Sequence, residues 1–153
     1  MFERNALIWL RGWKARANRK PLIIRGARQV GKTSLVDMFG GEFDCYLKFN
    51  LDEANDLALF EKELSVQDLY SVLLATRGKT KQEGNTLIFI DEIQNSPIAI
   101  KMLRYFKEEL PQVYVIAAGS LLETLLAKVW RSTVSMLTAL LFLTCCLTEL
   151  APS

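Results

Sequence analysis

The segment from Gly26 to Thr33 constrains the fold more than any other part of this 153-residue chain. Its letters, G-A-R-Q-V-G-K-T, fit the pattern G-x-x-x-x-G-K-[ST], in which a glycine loop surrounds a phosphate chain with backbone N–H groups. The apolar run 22–24 precedes the loop, and a helical pattern that stops at Gly40-Gly41 follows it. Strand, loop and helix in this order are the context that the motif requires. The segment therefore predicts a phosphate-binding loop between a buried strand and a helix.

Each position of the loop has a chemical task. Gly26 and Gly31 permit backbone angles and a close approach of the chain that a Cβ atom would obstruct. Lys32 is predicted to reach the β- and γ-phosphates of ATP, and the Thr33 hydroxyl to ligate Mg²⁺. The N-terminal end of the new helix presents its positive dipole to the same charge. The nucleotide-binding set predicted in this way is Gly26, Ala27, Arg28, Gln29, Val30, Gly31, Lys32, Thr33 and Ser34.

A second motif places two acids directly after an apolar strand. The run Thr86–Ile90 consists of β-forming residues without alternation, as in a strand covered on both faces, and Asp91 and Glu92 follow it. In open sheets of this kind, ligands bind at the carboxyl ends of the strands. Asp91 is predicted to serve the magnesium ion together with Thr33, and Glu92 to polarise the water that attacks the γ-phosphate.

Ser120 is a third candidate, because it follows the fourth predicted strand as part of Gly119-Ser120. A small polar side chain there can sense the γ-phosphate or orient the water. An ordinary helix N-cap explains the same residue equally well, so both interpretations stay open. The predicted catalytic set is Glu92, Lys32 and Ser120.

The remaining patterns alternate between strands and helices. Ser65 and Asp68 form a capping-box start for one helix, and Ser96-Pro97 supplies an N-cap with proline at the first helical position of another. The alternation predicts an α/β fold of the P-loop NTPase type: three α/β/α layers around a mostly parallel sheet, incomplete at the C-terminus. Strands are predicted at 22–24, 46–51, 86–90 and 113–117, and helices at 6–17, 32–39, 65–77, 97–110 and from 120 onward.

Composition limits the chemistry. Half of the residues are apolar, which suits one compact domain, and the absence of histidine excludes His-based acid–base catalysis, Ser-His-Asp triads and most zinc sites. Cys45, Cys145 and Cys146 lack the spacing of a metal knuckle or a disulfide framework and are typical of a reducing cytosol. Charges at Glu3 and Arg4 interrupt the apolar core of a secretory signal, so a cytoplasmic location is expected.

Charge is distributed unevenly along the chain. Nine of the 19 basic residues but only one of the 17 acidic ones lie in the first 32 positions, which indicates an anionic ligand. A solvated amphipathic helix beside a phosphate site explains this clustering. Nucleic acid is the alternative, but no aromatic interleaving along the sequence supports it.

The C-terminal part has a different texture, because residues 132–148 carry no charge. A membrane helix needs about 20 apolar residues, whereas this run is shorter and contains several hydroxyl side chains, so no membrane partner is expected. A fifth buried strand at Leu137–Leu143 fits the topology better. We therefore divide the chain into a domain at 1–128 and an atypical apolar tail at 129–153.

Four segments also occur together in a known family: K-P-L-I-I at 20–24, R-G-A-R-Q-V-G-K-T at 25–33, F-I-D-E-I-Q at 89–94 and A-A-G-S-L-L at 117–122. In these segments the chain resembles bacterial and archaeal AAA+ ATPases of AAA domain family fourteen, which normally carry a C-terminal domain of unknown function. The resemblance spans about Asn5 to Leu126. It implies that the fourth strand lies between the strands of the loop and of Asp91. It further implies that Ser120 is in the sensor position and that Gln94 lies beside the catalytic acid.

The tail departs from the family pattern, which normally continues with a Gly-Arg-containing segment, a fifth strand and a second domain. Val129 to Ser153 does not show these parts. We hypothesise that the reading frame was lost near Lys128 or that the product is truncated, and sequencing the coding DNA for a frame that restores the Gly-Arg segment tests this. An arginine finger is worth about 10³–10⁵ in rate where it operates, so hydrolysis without one is expected to be weak.

The sequence thus predicts ATP binding and Mg²⁺-dependent ATP hydrolysis, with ATP and Mg²⁺ as cofactors. The alternative is a nucleotide-binding regulatory module that holds ATP without turnover. A small-molecule kinase has the same type of loop, but the sequence shows no lid arginine cluster or acceptor site. A GTPase is also less favoured, because its base-reading motif is absent from the sequence. A second copy of the chain or another protein is the expected macromolecular partner.

Overall fold

The computed structural model describes residues 2–26, 31–80, 84–119 and 138–141. Within these residues, five parallel strands form one sheet in the order β2-β3-β4-β1-β5. The strands are β1 (Leu22–Arg25), β2 (Cys45–Asn50), β3 (Thr86–Asp91), β4 (Tyr114–Gly119) and β5 (Thr138–Leu141). The helices are α1 (Phe2–Lys14), α2 (Lys32–Gly40), α3 (Ala54–Phe60), α4 (Val66–Thr76) and α5 (Pro97–Glu109), with a 3-10 turn at Ile93–Asn95.

The topology confirms the predicted α/β class and the strand order that the family resemblance implied. The strand β4 pairs with β1 on one side and with β3 on the other, with Ile116 opposite both Leu22 and Phe89. The strand β5 pairs with the free side of β1 and lies inside the predicted range 137–143. Since β1 lies between β4 and β5, the glycine loop starts from an inner strand of the sheet.

The core has two parts, because side chains of each strand alternate between the two faces of the sheet. Leu87 and Phe89 of β3 belong to the part formed with α1 and α2, whereas Ile88 and Ile90 belong to the part formed with α3, α4 and α5. All six residues of β3 are buried. This explains why the strand reads as a continuous apolar run in the sequence.

Two helix starts follow the predicted capping. The Ser65 hydroxyl accepts a hydrogen bond from the Asp68 backbone N–H (3.2 Å), and the Ser96 hydroxyl accepts one from that of Ala99 (3.1 Å). Each bond satisfies an N–H group that the first helical turn leaves without a partner.

Some boundaries differ from the prediction. Helix α1 ends at Lys14 rather than Ala17, and β4 extends to Gly119 rather than Ala117. Helix α3 was not predicted, since seven residues are too few for a clear helical period. The helix predicted from residue 120 onward lies outside the described residues.

Candidate nucleotide-binding site

The carboxyl ends of β1 and β3 bring the two motifs to one edge of the sheet. Gly26 directly follows β1, and Asp91 is the last residue of β3, with only β4 between them. The chain then returns at Gly31, the N-cap of α2, which adopts a left-handed conformation (φ 83°, ψ 14°). A Cβ atom at Gly31 would meet nothing within 4 Å, so the backbone angle and not the space favours glycine here.

Lys32 is buried at the start of α2, with 6 % of its surface exposed. Its Nζ donates a hydrogen bond to the Gly26 carbonyl oxygen (2.8 Å), which joins the two ends of the loop. Burial lowers the pKa of the Lys32 ammonium, while the nearby charges of Glu92 and Asp91 oppose that shift. The ammonium group therefore lies inside the site and near both acids.

Thr33 and Asp91 connect the loop motif with the acidic motif. The Thr33 hydroxyl donates to Asp91 Oδ2 at 2.6 Å, and the Glu92 backbone N–H donates to Asp91 Oδ1 at 2.9 Å. Asp91 is 7 % exposed, so these bonds hold a carboxylate that burial would otherwise penalise. A hydroxyl and a carboxylate oxygen at hydrogen-bond distance are a donor set that suits Mg²⁺, which prefers oxygen ligands.

Glu92 has an unusual backbone conformation (φ 55°, ψ 43°) in the left-handed region, where residues other than glycine are uncommon. Its side chain accepts a hydrogen bond from Gln94 Nε2. Gln94 Oε1 is buried and has no hydrogen-bond partner among the described residues. Backbone strain of about 1–3 kcal/mol at such a position is a common feature of functional sites.

The structure therefore brings together Lys32, Thr33, Asp91 and Glu92, and their chemical roles stay predictions. Ser34 lies exposed in the first turn of α2. Ala27, Arg28, Gln29, Val30 and Ser120 lie outside the described residues. The bond from Gln94 to Glu92 places Gln94 beside the second acid, where the family resemblance implied it.

A parallel α/β sheet with a glycine-flanked loop after an inner strand and an acid at the tip of a nearby strand defines the P-loop ATPase class of fold. The family comparison agrees, because a sequence model of the AAA domain family matches residues 18–150. The chain belongs to this family. The match includes most of the apolar tail.

Solved structures with the same fold include the ORC1 protein of Aeropyrum pernix in complex with DNA. That likeness has 14 % identity and a TM-score of 0.61, and covers 92 % of this chain and 44 % of the other. A chain of Drosophila ORC bound to DNA has 10 % identity and a TM-score of 0.61, and the match covers 96 % of this chain and 94 % of the other. C. elegans PCH-2 has 14 % identity and a TM-score of 0.56, and the match covers 94 % of this chain and 43 % of the other. At these identities the comparison shows the fold alone.

The chain spans less than half the length of the A. pernix and C. elegans proteins. A search of curated protein sequences found none with significant similarity. Among the helices that the structure describes, none combines the length and the apolar character needed to cross a bilayer.

Proposed function

We propose that this domain binds ATP and hydrolyses it with Mg²⁺. The observation that carries the proposal is the 2.6 Å hydrogen bond from the Thr33 hydroxyl to Asp91 Oδ2, which links the loop and the acidic strand tip. Two segments 58 residues apart in the sequence meet at the place where a magnesium ion would need both of them. Membership of the AAA domain family supports the same function.

The residues divide the work as follows. Lys32 exchanges its bond with the Gly26 carbonyl for the phosphates of ATP, and the charges of Glu92 and Asp91 oppose the fall in its pKa that burial causes. Thr33 and Asp91 would hold the magnesium ion, which when bound would neutralise charge on the phosphates. Glu92 accepts the proton of the attacking water.

Gln94 favours a second candidate function. Its amide donates to Glu92 Oε2, which ties the carboxylate of the proposed base to Gln94 and can hold it away from the attacking water. A domain that keeps this bond when ATP is bound would hold the nucleotide without turnover and act as a regulatory module. Under either function, we propose a cytoplasmic protein that acts on a second copy of itself or on another protein.

Two measurements on the purified chain test the proposal: binding of labelled ATP, and release of phosphate with ATP and Mg²⁺. We expect Lys32→Ala to abolish detectable affinity, because it removes charge-assisted bonds of about 1.5–3 kcal/mol each. Glu92→Gln should leave affinity intact and lower turnover by about 10²–10⁴, the usual contribution of an acid–base group.

Glu63→Gln is the matched control, because Glu63 is an exposed glutamate that also has a positive φ (51°) but lies outside the site. It should change neither quantity. Tight binding without phosphate release by the unmodified chain would support the regulatory module. Equal losses of affinity and turnover in both site variants would refute the assigned roles.

A further inference from the structure

Three basic side chains at the end of α1 and just beyond it lie over aromatic rings. The rings come from three separate parts of the chain, namely α1, the segment before β2 and the start of β4. The pairs are Lys14 with Phe43 (4.1 Å from Nζ to the ring centre), Arg16 with Trp9 (5.9 Å from Cζ) and Arg19 with Tyr114 (3.3 Å from Cζ).

The pairs of Lys14 and Arg19 form one surface, and Arg16 lies between these two cations in the sequence. The Phe43 and Tyr114 ring centres are 5.0 Å apart, so the cations above them are neighbours. A depression beside them is lined by Arg19 and by two further basic residues, Lys20 and Lys107, together with Trp13. We name this surface the cationic shelf and define it by its basic residues, Lys14, Arg16, Arg19, Lys20 and Lys107.

The cationic shelf lies at the opposite end of the sheet from the candidate nucleotide site. Lys20 precedes β1 by two positions and Tyr114 begins β4, whereas the glycine loop follows the carboxyl end of β1. Parallel strands put these two ends on opposite edges. A ligand of the cationic shelf would therefore leave the nucleotide site accessible.

Hydrogen bonds hold the cations in place. Arg19 donates to the Pro111 carbonyl oxygen (3.0 Å), and Lys107 donates to the Asn18 side-chain oxygen. Lys14 donates to the Glu42 carbonyl oxygen (2.8 Å), while the Glu42 carboxylate is paired with Arg11 (2.6 Å). Other acids close to these residues in the sequence are Asp44, whose carboxylate accepts a hydrogen bond from the Asn85 backbone N–H (2.8 Å), and Glu108 and Glu109 beside Lys107. The basic groups thus outnumber the acids and need little rearrangement to bind an anion.

We propose that the cationic shelf binds the phosphate backbone of nucleic acid. Guanidinium groups fit phosphate oxygens in pairs, and a surface of several fixed cations matches a polymer that carries one charge per residue. The rings under the cations hold them at the surface, where they face water and a ligand. An anionic membrane fits less well, because the large apolar side chains that the described residues expose, Ile8, Met38 and Tyr105, all lie outside the cationic shelf.

Fluorescence anisotropy with labelled 30-nucleotide single strands and 30-base-pair duplexes tests the proposal on the full chain between 50 and 200 mM salt. We expect dissociation constants of about 1–100 µM at physiological salt. The double variant Arg16→Gln/Arg19→Gln should weaken binding about tenfold and lower the slope of log K against log salt by roughly 1.4–1.8, as for two lost phosphate contacts. Arg16→Lys/Arg19→Lys keeps the charge and should keep most of the slope.

The matched control is Lys62→Gln/Arg104→Gln, which removes two exposed cations outside the cationic shelf and should leave the slope within about 0.5 of the original. Thermal unfolding of each variant checks that it is folded. The proposal would be overturned if the control lost as much oligonucleotide affinity as the double variant. It would also be overturned if ATP and Mg²⁺ displaced the oligonucleotide, or if Lys32→Ala no longer bound the oligonucleotide. Binding to phosphatidylserine vesicles but not to oligonucleotides would overturn it as well.

Discussion

At the carboxyl end of the sheet, Lys32 and Asp91 expose only 6 % and 7 % of their surface, and each is held by a hydrogen bond within the site. At the amino end, Lys14 and Arg19 are half-buried and lie over aromatic rings that belong to the core. Burial of charge is costly unless it is paired, so the first arrangement suits one small anion of defined shape. The second places charge in water at little cost and suits a long flexible anion.

Substitution of Trp13, the central ring under the amino end, gives the largest expected effect. The side chain is 1 % exposed, packs against Phe39 and Tyr114, and donates its indole N–H to the Lys20 carbonyl oxygen (2.8 Å). Trp13→Ala should lower the free energy of unfolding by about 3–5 kcal/mol in urea denaturation. Ile8→Ala, at an exposed position on the same helix, should change it by less than about 0.5 kcal/mol.

The Trp13→Ala variant also tests whether the amino and carboxyl ends of the sheet act independently. Where Trp13→Ala remains folded, its affinity for ATP should match that of the unmodified chain, because the carboxyl end has its own hydrogen bonds. A folded variant with strongly reduced ATP affinity would show that the two ends are coupled through the sheet.

Thr33→Val gives the next largest effect, since it replaces the hydroxyl by a methyl group and leaves buried Asp91 Oδ2 without its donor. An unsatisfied buried acceptor costs about 1–3 kcal/mol, so the free energy of unfolding should fall by that amount. Thr33→Ser keeps the hydroxyl and is the control. Equal stability of the valine and serine variants would mean that the Thr33–Asp91 bond does not hold the two motifs together.

The sequence predicted the features whose residues are neighbours along the chain. These are the glycine loop, the pair of acids after β3 and the capped starts of α4 and α5, each of which is defined by residues only a few positions apart. The place of β4 between β1 and β3 is a long-range property, and only the family resemblance predicted it. Periodicity alone says nothing about which strands pair.

The features that the sequence did not predict depend on distant partners. Helix α3 is short, and Arg77, 21 positions beyond Asp56, fixes it through an ion pair of 2.9 Å. The sequence showed the basic cluster and nucleic acid as an alternative ligand but not the aromatic partners, because Phe43 and Tyr114 reach Lys14 and Arg19 only through the fold. These two rings are distant from the cations along the sequence but adjacent to them in the structure.

A substitution at Gly40 tests how closely helix α2 packs against the sheet between its two ends. It closes α2, and a Cβ atom there would lie 2.7 Å from the Tyr46 ring. Gly40→Ala should therefore destabilise the chain by about 1–3 kcal/mol through overpacking. Gly12 in α1 has nothing within 4 Å of such an atom, so Gly12→Ala should stabilise it by about 0.5–1 kcal/mol. Urea denaturation measures both, and a loss of stability in Gly12→Ala would contradict the open space seen there.

The smallest expected effect is a difference in pH dependence between Lys32 and Tyr46. Burial lowers the pKa of Lys32 below its usual 10.5, so the unfolded chain binds more protons between the two values and stability rises with pH in that window. Burial and the hydrogen bond to Asp37 raise the pKa of Tyr46 above its usual 10.0. The unfolded chain then loses the tyrosine proton first, and stability falls above pH 10.

Urea denaturation from pH 7 to pH 11 separates the two contributions. Lys32→Met keeps the apolar stem and removes the buried charge, so without nucleotide it should be more stable than the unmodified chain near pH 7. That difference should shrink as the pH approaches 10.5. Tyr46→Phe should lose part of the decline in stability above pH 10. A stability difference for Lys32→Met that does not change with pH would show that lost packing, and not relief of a buried charge at the carboxyl end, determines its effect.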